Sequence, residues 1–323
     1  MRFTSSRLIA ESVSFMHPDK ICDQISDLVL DAYLKQDPKS RVAIETIGGH
    51  GKIVLVGEVT SKGAVRSKTL VEKWYKKLTG QDISVESYIS KQSPQISQGV
   101  NTGGAGDQGI MVGYACSEND QYIPQEMYLA RKLLKGFTVD AKSQVVIENK
   151  KITSVVLSVQ GESVKDLKHH VKDRGIKVAD KDIFANFTGA FEIGGFDADS
   201  GCTGRKIVVD AYGPRVPVGG GAFSGKDATK VDRSSAYMAR WIALKLLKKF
   251  GAKEVLVKLG YVIGKAEPLI KQAVIDGRET SFNYDCRPNA IIERFDLRKP
   301  IYEDLAKNGH FGRLGEVPWE CAY

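Results

Sequence analysis

The sequence predicts an α+β fold of three structurally similar units in one chain, each a small sheet packed against helices. Strand-like segments come in pairs joined by short glycine or asparagine turns, the signature of antiparallel hairpins. Between the pairs lie longer stretches with apolar residues at helical spacing. A Gly/Gln/Asn-rich stretch from Gln98 to Gly109 separates the first unit from the second. Helices and strands do not alternate singly, which argues against a doubly wound parallel sheet. The units are expected at 1–98, 104–196 and 197–323, and their segments can interleave in space. They share no residue-level repeat.

Ile21, Ile25, Leu28, Val29 and Ala32 recur at helical spacing and predict a first helix ending near Gln36-Asp37-Pro38. Arg41–Ile47 and Ile53–Val59 then read as a hairpin turning at Gly48-Gly49-His50-Gly51. A helix over Ser67–Leu78 and a strand over Ile83–Ser90 complete the unit. The second unit runs strand Ile110–Ala115, helix Pro124–Leu134, a hairpin of Ser143–Glu148 and Ser154–Gln160 around Asn149-Lys150, and helix Val164–Arg174. In the third, Ile207–Asp210 reads as a strand. Asp227 reads as the N-cap of a helix starting near Ala228 and stopping at Gly251. A strand over Glu254–Gly260 and a helix toward the tail follow.

The 323 residues suffice for two or three domains. Hydrophobic content of 42% and charged content of 27% are those of an ordinary globular protein. No apolar run approaches a membrane span, so no membrane partner is expected. The apolar patch after Arg7 is too short for a secretory signal. Five scattered cysteines without a C-x-x-C pair point to free thiols and a cytoplasmic setting rather than a zinc site or a disulfide framework. The net charge of +8 gathers partly on helix faces such as Lys68, Lys73, Lys76 and Lys77. Solvated faces of this kind do not call for nucleic acid, and none is expected as a partner.

Gly219-Gly220-Gly221-Ala222-Phe223-Ser224-Gly225-Lys226-Asp227-Ala228-Thr229-Lys230-Val231-Asp232-Arg233 is the segment richest in chemistry. Bare glycine backbone can approach phosphate oxygens, lysines neutralise them, and carboxylates hold Mg²⁺. Gly220 to Lys226 has P-loop spacing, but Asp227 stands where a hydroxyl is required, and Pro214 and Pro217 interrupt the approach. By composition alone, a surface turn leading into a basic helix fits equally well. Three other segments carry more charge and glycine than turns need. They are His17-Pro18-Asp19-Lys20 before the first helix, Gly104-Ala105-Gly106-Asp107-Gln108-Gly109, and Asp199-Ser200-Gly201-Cys202-Thr203-Gly204-Arg205-Lys206.

With Glu11-Ser12-Val13-Ser14, Lys91-Gln92-Ser93-Pro94, Asp140-Ala141-Lys142-Ser143-Gln144-Val145, Gly309-His310-Phe311-Gly312-Arg313 and Pro318-Trp319, these words stand in the order found in S-adenosylmethionine synthetases. The chain resembles that family over essentially its whole length. The resemblance implies attack of the methionine sulfur on C5′ of ATP, then hydrolysis of the released triphosphate to phosphate and diphosphate. A thioether has no proton to lose, so the displacement needs alignment and charge stabilisation rather than a general base. By the same resemblance His17, Lys142, Arg205, Lys226 and Lys230 are catalytic. Asp140, Phe191, Asp199, Lys206, Ala222 and Ile263 join His17, Lys142, Arg205 and Lys226 around ATP. Glu58, Gln92, Asp107, Asp199 and Lys230 contact methionine. Asp19 and Asp232 bind Mg²⁺, two ions per site, and Glu45 binds K⁺. A homodimer with sites at its interface, often paired into a tetramer in this family, is also implied. The chain departs from the family in its short Val100–Gly104 loop, in Ala190 where Arg is usual, in Phe15-Met16 for a small polar pair, and in its short C-terminal tail.

Overall fold

The computed structural model describes residues 6–92 and 103–321. Ser93-Pro94 and most of the short 100–104 loop lie outside them. Among the described residues the strands form three four-stranded sheets. The first is built from β1 (Arg7–Val13), β6 (Ala141–Glu148), β7 (Lys151–Val159) and β8 (Ile183–Ala185) in the order β1-β6-β7-β8. The second contains β2 (Arg41–Gly49), β3 (Lys52–Thr60), β4 (Ser84–Lys91) and β9 (Gly201–Cys202) in the order β4-β3-β2-β9. The third contains β5 (Gly109–Cys116), β10 (Glu254–Tyr261), β11 (Ile270–Ile275) and β12 (Arg278–Thr280) in the order β12-β11-β10-β5. Each sheet thus takes one strand from a neighbouring stretch of sequence: β1 joins the middle strands, β5 the C-terminal ones, and β9 the N-terminal ones.

The β2–β3 and β6–β7 pairs are antiparallel hairpins, with Ala43 opposite Glu58 and Ser143 opposite Leu157. Both turn where the sequence places glycine or asparagine, and His50, Asn149 and Lys150 take the left-handed conformation that tight turns need. β4 and β8 attach in parallel, at the far edges of their sheets. Alternation sets the faces. On β3, Ile53 and Leu55 point into the core while Lys52 and Val56 are exposed.

α1 (Pro18–Gln36) begins at His17, whose ring nitrogen accepts the Asp19 N–H, and has Pro18 in its first turn. It packs on β2 and β9. α2 (Ser67–Thr79) covers β4 and ends at the left-handed Gly80. α3 (Gln125–Leu134) lies on β1 and β6, and with α4 (Val164–Asp173) it closes a core containing Leu129, Leu133, Val145, Leu157 and Leu167. A larger core, with Ile21, Ile25, Leu55, Met238, Ile242 and Val257, joins the other two sheets. α6 (Val231–Phe250) runs through it, stopped by left-handed Gly251.

Two expectations fail here. Ile207–Asp210 is not a strand but a single helical turn, α5. Coiling delivers Asp210 to α1, where its carboxylate meets the Lys20 ammonium at 2.5 Å. Asp227 does not cap α6, which begins at Val231. Its carboxylate accepts the Val42 N–H at 2.7 Å and the Thr229 N–H at 2.9 Å, fastening the turn before the helix to β2. The β11–β12 hairpin, β1, β8 and β9 were not anticipated, and the tail holds two short helices, α7 (Pro288–Phe295) and α8 (Tyr302–Leu305), rather than one.

Candidate active site

Polar side chains of two kinds of origin gather into two clusters. The first surrounds the N-terminus of α1. Asp19, fully buried, accepts the Cys202 N–H at 2.9 Å and a Lys206 Nζ hydrogen at 2.5 Å, and pairs with the Arg205 guanidinium, whose Nε lies 2.8 Å away. Burial alone would raise its pKa. The Lys206 hydrogen bond, the Cys202 N–H and the two cationic charges outweigh burial and hold it below the ordinary 3.8. The His17 ring is mostly buried. Desolvation first, then the Lys206 charge, lowers its pKa to about 4. The imidazole is therefore neutral near pH 7. Because Nδ1 accepts the Asp19 N–H at 3.2 Å, the ring proton sits on Nε2.

Lys142, on β6, pairs with Glu11 across the sheet at 3.0 Å, and its charge is felt at His17. Asp140, just before β6, accepts the Gly195 N–H at 2.9 Å, and burial raises its pKa. That bond, with the Gln160 Nε2 bond to the Glu192 carbonyl at 3.1 Å, carries the loop bearing Phe191 up to the cluster. Phe191 is half-buried, and its carbonyl accepts the Gly161 N–H at 2.8 Å. Asp199 is exposed, with its carboxylate turned onto the Ser200 N–H, and its charge reaches both His17 and Asp140.

The second cluster lies at the glycine-lysine segment. Lys226 pairs with Asp232 at 2.6 Å and bridges Ala43 of β2, whose register partner is Glu58 of β3. Lys230 pairs with Asp227. Gly221 lies so close to Asp232 that a Cβ there would strike the carboxylate. Asp107 occupies an exposed turn leading into β5, while Ala105 bridges Ile263 after β10. Gln92, buried at the end of β4, has no hydrogen-bond partner for its Oε1 among the described residues. Glu45 is exposed on the outer face of β2. The clusters approach each other at Gly204 and Ala222, with room for nothing larger than glycine at 204. No ion pair or hydrogen bond among the described residues joins the charged groups of the first cluster to those of the second.

No three His, Cys, Asp or Glu side chains converge as a metal cage among the described residues. Each cluster instead sets one carboxylate, Asp19 or Asp232, among cations. That donor set suits Mg²⁺, which binds through one or two carboxylates plus phosphate oxygens.

Some residues that organise the clusters were not identified from the sequence. Lys20, Asp23 and Asp27 on α1 are buried beneath both, as is Arg233. The signal was present: Asp19, Asp23, Asp27 and Asp31 recur every fourth residue in an otherwise apolar helix. Spacing of four puts them on one face, and a buried face of aspartates requires partners. His310 is also fully buried with its pKa pushed far down by desolvation, and its Nδ1 meets the Tyr237 hydroxyl at 2.8 Å.

Comparison with known proteins agrees with this arrangement. Profiles of the S-adenosylmethionine synthetase N-terminal, central and C-terminal domains match residues 5–98, 102–191 and 193–321. A protein named S-adenosylmethionine synthase from Parvibaculum lavamentivorans is 41% identical over 368 aligned positions, which cover 96% of this chain and 94% of the relative. The proteins of the same name from Pelagibacter ubique and Clostridium botulinum are each 39% identical, with 96% of this chain and 95% of each relative covered. These alignments are longer than the 323-residue chain, so the relatives carry segments with no counterpart here. The chain belongs to the S-adenosylmethionine synthetase family.

Proposed function

We propose that the chain is a methionine adenosyltransferase, converting ATP, L-methionine and water to S-adenosylmethionine, phosphate and diphosphate. The observation that carries this reading is the first cluster: a neutral histidine at a helix N-terminus, beside Arg205, Lys206 and Lys142. Such a site can hold a polyphosphate and stabilise it as it leaves, which is what displacement at C5′ requires.

In the first step a sulfur lone pair of methionine forms the S–C5′ bond as the C5′–O bond breaks. The triphosphate departs with the electron pair, and no proton moves. His17 offers its Nε2–H to the departing oxygen. Arg205, Lys206 and Lys142 neutralise the phosphates, and Lys226 and Lys230 complete that neutralisation from the second cluster, Lys230 also reaching the methionine carboxylate. Asp140, Phe191, Ala222 and Ile263 border the adenosine. Glu58, Gln92, Asp107 and Asp199 hold methionine or its adenosyl product, the Oε1 of Gln92, which has no partner among the described residues, being suited to a ligand donor. Mg²⁺, held by Asp19 and Asp232 with the phosphates, would supply further charge neutralisation, and K⁺ at Glu45 would support the site. In the second step water attacks a phosphorus of the retained triphosphate, splitting it into phosphate and diphosphate.

The same geometry supports a homodimer. The outer face of the second sheet exposes Ile47, Val56 and Tyr88, and Val56 stands opposite Tyr88 in register. Glu45 and Glu58 rise from that same face. Apolar surface interspersed with binding residues is the character of an interface that encloses a site. In the proposed dimer a second copy on this face contributes its first cluster to this chain's second. Incubation with ATP, Mg²⁺, K⁺ and methionine tests the reading: methionine-dependent S-adenosylmethionine and diphosphate are expected. ATP hydrolysis indifferent to methionine would refute it.

A further inference from the structure

We infer that Asp23 and Asp27 of α1 are positioning residues, each holding the backbone of one phosphate-binding wall. The link to turnover rests on the methionine adenosyltransferase reading; the structural part does not.

The four aspartates of α1 each accept a backbone N–H from another segment. Asp19 takes that of Cys202 and Asp23 that of Gly204, both at 2.9 Å. Asp27 takes that of Gly225 at 2.8 Å, and Asp31 that of Tyr302 at 2.9 Å. Gly204 immediately precedes Arg205 and Lys206, and Gly225 immediately precedes Lys226. The middle two rungs therefore hold the backbone of the two walls, about 6 Å apart along the helix axis.

Both middle rungs are also charge-compensated from inside the protein. Asp23 shares the buried Lys20 ammonium, at 3.0 Å, with Asp210 at the far end of the Arg205-Lys206 segment. That segment is gripped at both ends. Asp27 makes a two-pronged pair with Arg233, at 2.7 and 2.6 Å, and the same guanidinium donates to the Lys226 carbonyl at 2.9 Å. The N–H before Lys226 and the carbonyl of Lys226 are thus held by one ion pair. Gly225, at φ 79°, lies so close to the Ile44 carbonyl that no Cβ would fit there.

A buried ion pair can also serve the fold as a whole, and its loss then loosens everything around it. Positioning makes a narrower demand. In full-length protein, Asp27→Asn is expected to speed amide exchange at Gly225 and Lys226 and leave Gly204 and Arg205 protected; Asp23→Asn does the reverse. Each variant is expected to lower kcat about tenfold or more while KM moves less. The loss from Asp27→Asn should vanish in a Lys226→Gln background and multiply fully in a Lys206→Gln background, with the opposite pattern for Asp23→Asn, read in single turnovers. Equal exchange at both walls, or multiplication in both backgrounds, overturns the inference. If Asp27→Asn does not fold, Arg233→Lys, which keeps the charge and loses the fork, carries the same comparison. A wild-type protein that makes no S-adenosylmethionine refutes the activity alone, and the exchange pattern still decides the positioning.

Discussion

His17 and Asp19 are neighbours that both hold their protons less tightly than usual, although burial pushes the two in opposite directions. For the imidazole, desolvation and the Lys206 charge act together against the charged form. For the carboxylate, the same lysine opposes desolvation and wins. The folded pKa of His17, about 4, lies below the unfolded 6.5. The unfolded chain therefore takes up a proton first as pH falls, and stability is lost between about pH 6.5 and 4, not above. His310, depressed by the same cause, adds to this. An NMR titration of the His17 ring in the ligand-free protein should show a midpoint near 4; a midpoint near 6.5 contradicts the structure. His17→Gln should leave a shallower acid decline in melting temperature than the wild type. On the reaction side, Lys226→Ala is expected to abolish turnover while sedimentation shows the oligomer unchanged. Retained turnover would remove that lysine from the mechanism.

Among the elements, β5 and α6 pack backbone against backbone. A Cβ on Gly113 of β5 would collide with the backbone at Ala239 and Arg240 of α6. Arg240, fully buried, binds Glu320 at 2.7 Å and the carbonyls of Tyr114 and Tyr122, tying helix, sheet and tail together. The two backbones cannot separate without disturbing those bonds. Gly113→Ala is accordingly expected to destabilise the fold by about 2–4 kcal/mol, read as a lowered denaturation midpoint. A change within about 0.5 kcal/mol would mean that α6 can shift freely. Element legibility divided along the same physical line. Hairpins β2–β3 and β6–β7 and helices α1 to α4 carry their own periodicity and turn residues, so the sequence displays them. β1 and β9 are strands because β6 and β2 accept them, and α5 coils because Lys20 draws in Asp210. Those causes lie more than a hundred residues away.

For the whole molecule, the decisive arrangement is two clusters whose charged groups make no polar contact with each other among the described residues. Mixing two inactive variants, Lys206→Ala and Lys226→Ala, tests whether two copies share each site. Random exchange gives half mixed dimers, each with one intact site, so about a quarter of wild-type activity is expected to return. No recovery after verified subunit exchange would place both halves of a working site in one chain. Replacing exposed Val56 and Tyr88 together by lysine should dissolve the dimer and abolish turnover, as sedimentation and assay would report.

The words around His17, Asp107, Arg205 and Lys226 were enough to identify the family and the polyphosphate chemistry, because backbone-exposing glycines next to fixed charges are a local property of sequence. The sequence also contained the every-fourth-residue aspartates of α1, but not their partners. Which backbone N–H each one holds, and that Gly204 and Gly225 are bound to successive turns of one helix, was decided by tertiary structure alone. Hydrogen bonds over about 3 Å depend on where distant segments meet, and no periodicity along the chain encodes that meeting.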